Sequence, residues 1–220
     1  MTAISSYKLY LFLYFSLCML ICCKQEKRQY AMNYAITDER IEVALIPYTQ
    51  VVQAIKRKFT YFQKQKLHDS TRSLIYNSIA ETMPSYWNGT PWDFNGTTQV
   101  PGQGNIACGY FVTTLLRDIG YKINRVKLAQ QASSVIVKST CTKVEYLKNI
   151  EAVNNYIVAL PVKSIAIVGL DFHTGFIIKK STGIYFLHSN YINKQGVVME
   201  PLQQSKAFNT SKTFMIGLLQ

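Results

Sequence analysis

GNIACGYFVTTLLRDIGY (residues 104–121) reads as a turn, a cysteine and an amphipathic helix. Gly102, Gly104 and Asn105 keep the approach irregular, and Cys108 falls where the helix begins. Tyr110, Phe111, Val112, Leu115, Leu116 and Ile119 recur at helical spacing and predict one buried face. Gly120 is placed to end the helix with a left-handed residue. A thiol at a helix N-terminus sits among unpaired backbone N–H groups at the positive end of the dipole. That setting favours the thiolate, which is the nucleophilic form. The competing reading is an inert structural cysteine, because free cysteine is among the most buried residue types.

Downstream of this stretch the hydrophobic period shortens. Residues 127–138 and 145–156 read as helices, the second capped near Thr142. From Ser164 come SIAIVGL, DFHTGFIIKK, a turn at Gly183, IYFLHSNY, then Gly196 and VVME, and finally TFMIGLL. Four or five short strands with hairpin punctuation predict an antiparallel sheet. Upstream, residues 48–65 and 70–83 carry helical patterns, the latter stopped by Pro84. Helices first and strands second indicate an α+β domain, with N-terminal helices packed on one face of a C-terminal antiparallel sheet.

His173 and His188 both fall in the sheet region, on strands joined by the turn near Gly183. An antiparallel hairpin brings its distal ends together, so the two rings are placed to face one another. A base oriented by a second polar group, set against a helix-start cysteine, is the arrangement of a catalytic triad. His188 and Asn190 are two apart on one strand and share a face, so either is a candidate to orient His173. His68 has no partner in its local pattern and reads as a surface residue.

The totals bound the rest. A chain of 220 residues, about half of them hydrophobic, accommodates one domain and a short appendage. The net charge of +12 suits an anionic partner, yet the basic residues are spread out and no nucleic-acid-binding signature is present. No nucleic-acid partner is therefore expected. Of five cysteines, Cys18, Cys22 and Cys23 lie in the N-terminal segment, leaving Cys108 and Cys141 in the body. That is no disulfide framework, although a Cys108–Cys141 bridge is one alternative. No cysteine–histidine spacing suggests zinc, and neither a metal nor an organic cofactor is implied.

Residues 1–23 form a signal-type segment, with Lys8 ahead of an apolar run that ends in LICC. LICC resembles a bacterial lipobox, which would leave Cys23 as a lipid-modified N-terminus. An uncleaved anchor is the alternative. Either one predicts an exported, membrane-anchored protein at the periplasmic or cell-envelope face. A polar leader over 24–40 precedes the domain proper at 41–220. Residues 85–103, SYWNGTPWDFNGTTQVPGQ, make a long loop with four aromatics, a composition that is usually functional or well packed.

Taken in order, these pieces resemble the NlpC-type cysteine peptidases of bacterial cell walls, which have a papain-like fold. GTPWDFNG (89–96) looks like the family's GTPYxWGG loop, and NIACGYFVTTLLRDIGY (105–121) like its cysteine-plus-helix, DCSGFVxxVYxxxG. INRVKLAQQ (123–131) resembles LPRxxxxQ, HTGFII (173–178) is similar to HVGIYI, and FLHSN (186–190) to the IHA strand. The resemblance covers residues 89–198. It implies Cys108 as nucleophile, His173 as general base and His188 as orienting residue, with Trp92 near the oxyanion site. Trp92 and Asn190 are expected to bind substrate, Asn190 being also the alternative to His188 by its place on the strand. Trp92 stands for the family's tyrosine, Ala107 for its aspartate and Gly109 for its serine, which marks a divergent branch. The activity implied is hydrolysis of amide bonds in peptidoglycan stem peptides. A catalytically idle relative that binds wall peptides or a protein partner is the alternative, and an amidase or transferase on the same scaffold is a third.

Overall fold

The computed structural model describes residues 46–219. The signal segment, Cys23, the 24–40 leader and the first residues of the expected domain lie outside that range. Packing sets Tyr48 onward apart as one unit. Among the described residues, no helix is long and apolar enough to cross a membrane.

Two helices open the body, α1 (Tyr48–Lys64) and α2 (His68–Asn77). The helical path does not stop at Pro84. It continues through a wider π turn (Ser78–Thr82) into α3 (Met83–Trp87), with Pro84 in its first turn. Proline lacks the N–H that would bond the carbonyl four residues back, and its ring crowds that carbonyl. Here that carbonyl belongs to Ala80, and Lys180 Nζ donates to it at 3.0 Å. A side chain from the sheet thus supplies the missing donor, an interaction no local pattern encodes.

The helix around the cysteine, α4 (Cys108–Ile119), forms where the spacing predicts. Phe111, Val112, Leu115, Leu116 and Ile119 are fully buried. Gly120 ends it at φ +130°, with Phe59 of α1 packed so closely that a Cβ would sit 2.7 Å from the ring. The helix expected over 127–138 is two helices, α5 (Arg125–Ala129) and α6 (Ser133–Thr140). Asn124 caps α5 by accepting from the Lys127 N–H at 3.0 Å. The break lets the chain touch two glycines: a Cβ at Gly109 would lie 2.5 Å from the Ala129 carbonyl, and one at Gly169 3.0 Å from Ser133 Oγ.

The helix expected over 145–156 is also revised. Thr142–Leu147 is a strand, β1, and the helix α7 begins at Ile150 and runs to Ala159. Backbone pairing with the C-terminal strand decides the matter, as sheet context overrides weak local preference. Asn149 caps α7 by accepting from the Ala152 N–H at 2.8 Å. The remaining elements are β2 (Ser164–Gly169), β3 (Thr174–Lys180), β4 (Gly183–Asn190), β5 (Gly196–Pro201), α8 (Lys206–Asn209) and β6 (Phe214–Leu218).

The six strands form one antiparallel sheet in the order β1-β6-β2-β3-β4-β5, so the class is α+β. Alternate residues of β2 and β3 feed two different cores, as a period of two requires. Ile165, Ile167, Phe176 and Ile178 pack with α1 to α4 and α6. Ala166, Val168, Ile177 and Phe186 pack with Val153 and Ile157 of α7, and with Leu202 and Phe208. Helices therefore cover both faces of the sheet, not one. The second face is closed by segments that follow the cysteine helix in the chain.

Candidate active site

Cys108 is the first residue of α4, preceded by Ala107 in an extended conformation that offers no side-chain cap. The first N–H groups of the helix are thus left for the cysteine and whatever binds there. Burial pushes the Cys108 thiol up, while the backbone N–H groups of Thr174, Gly109 and Cys108 itself act in the opposite direction. Burial outweighs them, so the thiol is held above its ordinary value, opposite to what the helix position alone suggests. The effect of the Thr174 N–H on the thiol places the sulfur near the start of β3, one residue from His173.

His173 ends a tight turn closed by the Leu170 N–H onto the His173 carbonyl at 2.9 Å, and the Thr174 hydroxyl anchors the same turn on the Val168 carbonyl. Both His173 and His188 are buried. His173 Nε2 lies 2.7 Å from His188 Nδ1. The pairing of Phe176 with Leu187 sets His188 level with Gly175, and glycine there is obligatory: a Cβ would come within 2.8 Å of the His188 Cβ. His173 Nδ1 is buried without a hydrogen-bond partner, so the nitrogen not used by His188 is the one left open. Burial, and then repulsion from His188, hold His173 well below the ordinary imidazole range. Burial also lowers His188, against the pull of Glu200.

Of the two candidates for the third position, the structure brings His188 to His173 and commits Asn190 elsewhere. Asn190 donates to Gln195 Oε1 at 2.8 Å and accepts from the Ile192 N–H at 2.9 Å, holding the turn after β4. Trp92 is half-buried, its ring 6.3 Å from that of Tyr191, which stands edge-on to His173 at 5.1 Å. Phe186 flanks the histidines from the other side, stacked on His188 at 4.1 Å.

The loop ahead of the cysteine is fixed from both ends. Thr97 bridges to Ile106, and the Gly89 and Val197 amides tie residues 89–90 to β5. Arg125, buried, donates to the Thr97 and Thr98 carbonyls and to Thr114 Oγ1, with its guanidinium over the Tyr110 ring. The supporting role of Arg125, and the places of Tyr191 and Glu200 beside the histidines, are not evident from the local sequence pattern. Glu200 Oε1 lies 3.0 Å from His188 Nε2. Its only signal is parity: it is two residues beyond Val198, the residue paired with His188.

Cys108 and Cys141 are both free thiols, which sets aside a bridge between them. His68 is exposed at the start of α2. Among the described residues, no group of three or more His, Cys, Asp or Glu side chains is arranged to hold a metal ion. No family model, curated protein or solved structure matches this chain.

Proposed function

We propose that the protein is an exported, membrane-anchored cysteine hydrolase that cleaves amide bonds, with peptidoglycan stem peptides as its substrate class. The reading rests on one observation above the others: a buried His173–His188 pair at 2.7 Å whose open nitrogen is Nδ1 of His173, next in the chain to Thr174, whose N–H acts on the Cys108 thiol. The substrate class and the papain-like, NlpC-type architecture come from the sequence resemblance. The charge of +12 is compatible with an anionic wall polymer.

In this mechanism the Cys108 sulfur attacks the carbonyl carbon as its proton passes to His173 Nδ1. Starting from a neutral thiol and a neutral imidazole, charge separates only as the S–C bond forms. The oxyanion develops against the N–H groups of Cys108 and Gly109 at the head of α4. The imidazolium then protonates the leaving amine as the C–N bond breaks. His173 Nδ1 next takes a proton from a water that attacks the thioester; as the C–S bond breaks this proton passes to the sulfur, restoring the thiol, and the carboxylic acid leaves and ionises into solvent. His188 orients His173, and Trp92 and Tyr191 border the site. Apo geometry in such pairs is often loose and tightens when substrate binds.

Incubating the purified chain with muropeptides, with product masses as readout, tests the proposal. Cleaved stems and loss of cleavage in Cys108→Ser are expected. A catalytically idle peptide binder is the second reading, favoured by the absence of a hydrogen bond between Cys108 and His173. Binding of muropeptides without cleavage, equal in the wild type and in Cys108→Ser, would establish that reading and reject the hydrolase.

A further inference from the structure

We propose that Glu200 is a positioning residue for this site: acting through His188, it fixes the tautomer of His173 that leaves Nδ1 a bare lone pair. The inference rests on the reading of His173 as the base. Two short contacts in a chain fix where the protons sit. Glu200 Oε1 is 3.0 Å from His188 Nε2, and His188 Nδ1 is 2.7 Å from His173 Nε2. An ionised carboxylate can only accept, so the ring proton of His188 must be on Nε2. A neutral imidazole has one N–H and one acceptor, so His188 Nδ1 accepts. His173 Nε2 must then donate to it. Being neutral as well, His173 has no second proton, and its Nδ1 is the acceptor the mechanism needs.

Each premise has its own support. The hydrogen bond from His188 holds the Glu200 carboxyl below the usual range, against partial burial, and the Ser205 hydroxyl adds to this. Burial lowers both imidazoles, which favours their neutral forms. The alignment is built into the sheet: Glu200 pairs with Phe186, His188 pairs with Val198, and the diagonal between them lies on one face. Phe186 then stacks flat on the His188 ring, with 19° between planes, and holds its edge toward the carboxylate. The far side of Glu200 borders a cavity of about 190 Å³ shared with Gln195, Gln204 and Lys206, which keeps polar groups around its charge.

Nitrogen NMR of the chain labelled at histidine reads the tautomers directly, with no need of substrate. In the wild type, His173 and His188 are both expected as Nε2–H forms. Glu200→Gln is nearly isosteric, but its amide can accept or donate, so it no longer dictates which nitrogen of His188 holds the proton. Mixed tautomers at both rings are expected in that variant. Turnover should fall at least about tenfold with KM little changed, since a misplaced proton disables the base without removing a substrate contact. A wild-type His173 protonated on Nδ1 would overturn the inference, as would a Glu200→Gln spectrum identical to wild type. The wild-type spectrum decides even if the variant does not fold. If the tautomers are as expected but no amide is cleaved, the hydrolase reading fails and the positioning role of Glu200 stands.

Discussion

At the scale of single residues, the distinction between orienting the base and holding the backbone is measurable. His188→Ala removes the hydrogen-bond partner that His173 Nε2 has among the described residues and is expected to cut turnover while leaving some activity, because an orienting residue contributes less than the nucleophile. Asn190→Ala removes two hydrogen bonds in the turn after β4. It is expected to cost about 1–3 kcal/mol of stability with turnover per folded molecule preserved. Urea unfolding and steady-state rates on the two variants separate the roles, and the assignment is wrong if Asn190→Ala loses more turnover than His188→Ala. Cys108 itself behaves otherwise than its helix position suggests. Burial holds its thiol above the ordinary value, so alkylation by iodoacetamide in the native chain should rise only above about pH 8.5. A pH profile with its midpoint near neutrality would show instead that a thiolate–imidazolium pair exists at rest. Cys141, pushed up to about 11 by burial, is expected to stay silent through that range.

At the scale of elements, the site depends on one glycine contact and one arginine. Gly109 lets α5 approach the head of α4, and a methyl group there would meet the Ala129 carbonyl. Gly109→Ala should destabilise by about 1–3 kcal/mol, as overpacking does, and should displace the nucleophile. Thermal melts together with turnover check both effects, and an unperturbed variant would mean that α5 is free to move. Arg125 binds two loop carbonyls and Thr114 from a buried position. Arg125→Met keeps much of the bulk but loses these bonds, and is expected to expose residues 97–103 to proteolysis well before the helices unfold. Mass mapping of early cleavage sites tests this, and cleavage that begins in α1 or α2 would contradict it.

At the scale of the whole molecule, the buried histidines make stability pH-dependent with a definite sign. Both His173 and His188 have folded values below the unfolded imidazole value of about 6.5. Below that pH the unfolded chain takes up protons that the folded chain resists, so stability falls on acidification from neutral. Glu200 acts lower: its depressed carboxyl contributes stability above the unfolded carboxylate range, which is lost only as pH falls through the folded value. Between pH 7 and 5 the loss therefore belongs to the histidines. Denaturant unfolding at pH 7.5 and pH 5 should show it, and the dependence should be weaker in a His173→Gln, His188→Gln double variant. An equal slope in that variant would assign the effect to other groups.

The cysteine helix, the four strands from 164 to 201, the C-terminal strand and the two histidines were legible in the sequence. Each shows in a local period, and a hairpin turn fixes which strands meet. The tertiary structure alone decided the rest. Thr142–Leu147 is a strand because β6 offers it hydrogen bonds, and the helix runs through Pro84 because Lys180 reaches Ala80 from the sheet. The second face of the sheet is covered because α7 and Phe208 return to it from later in the chain. His188 rather than Asn190 meets His173 because register, which no single strand contains, sets His188 level with Gly175. Glu200 joins them by a cross-strand diagonal, a relation between two strands that exists only once both are paired.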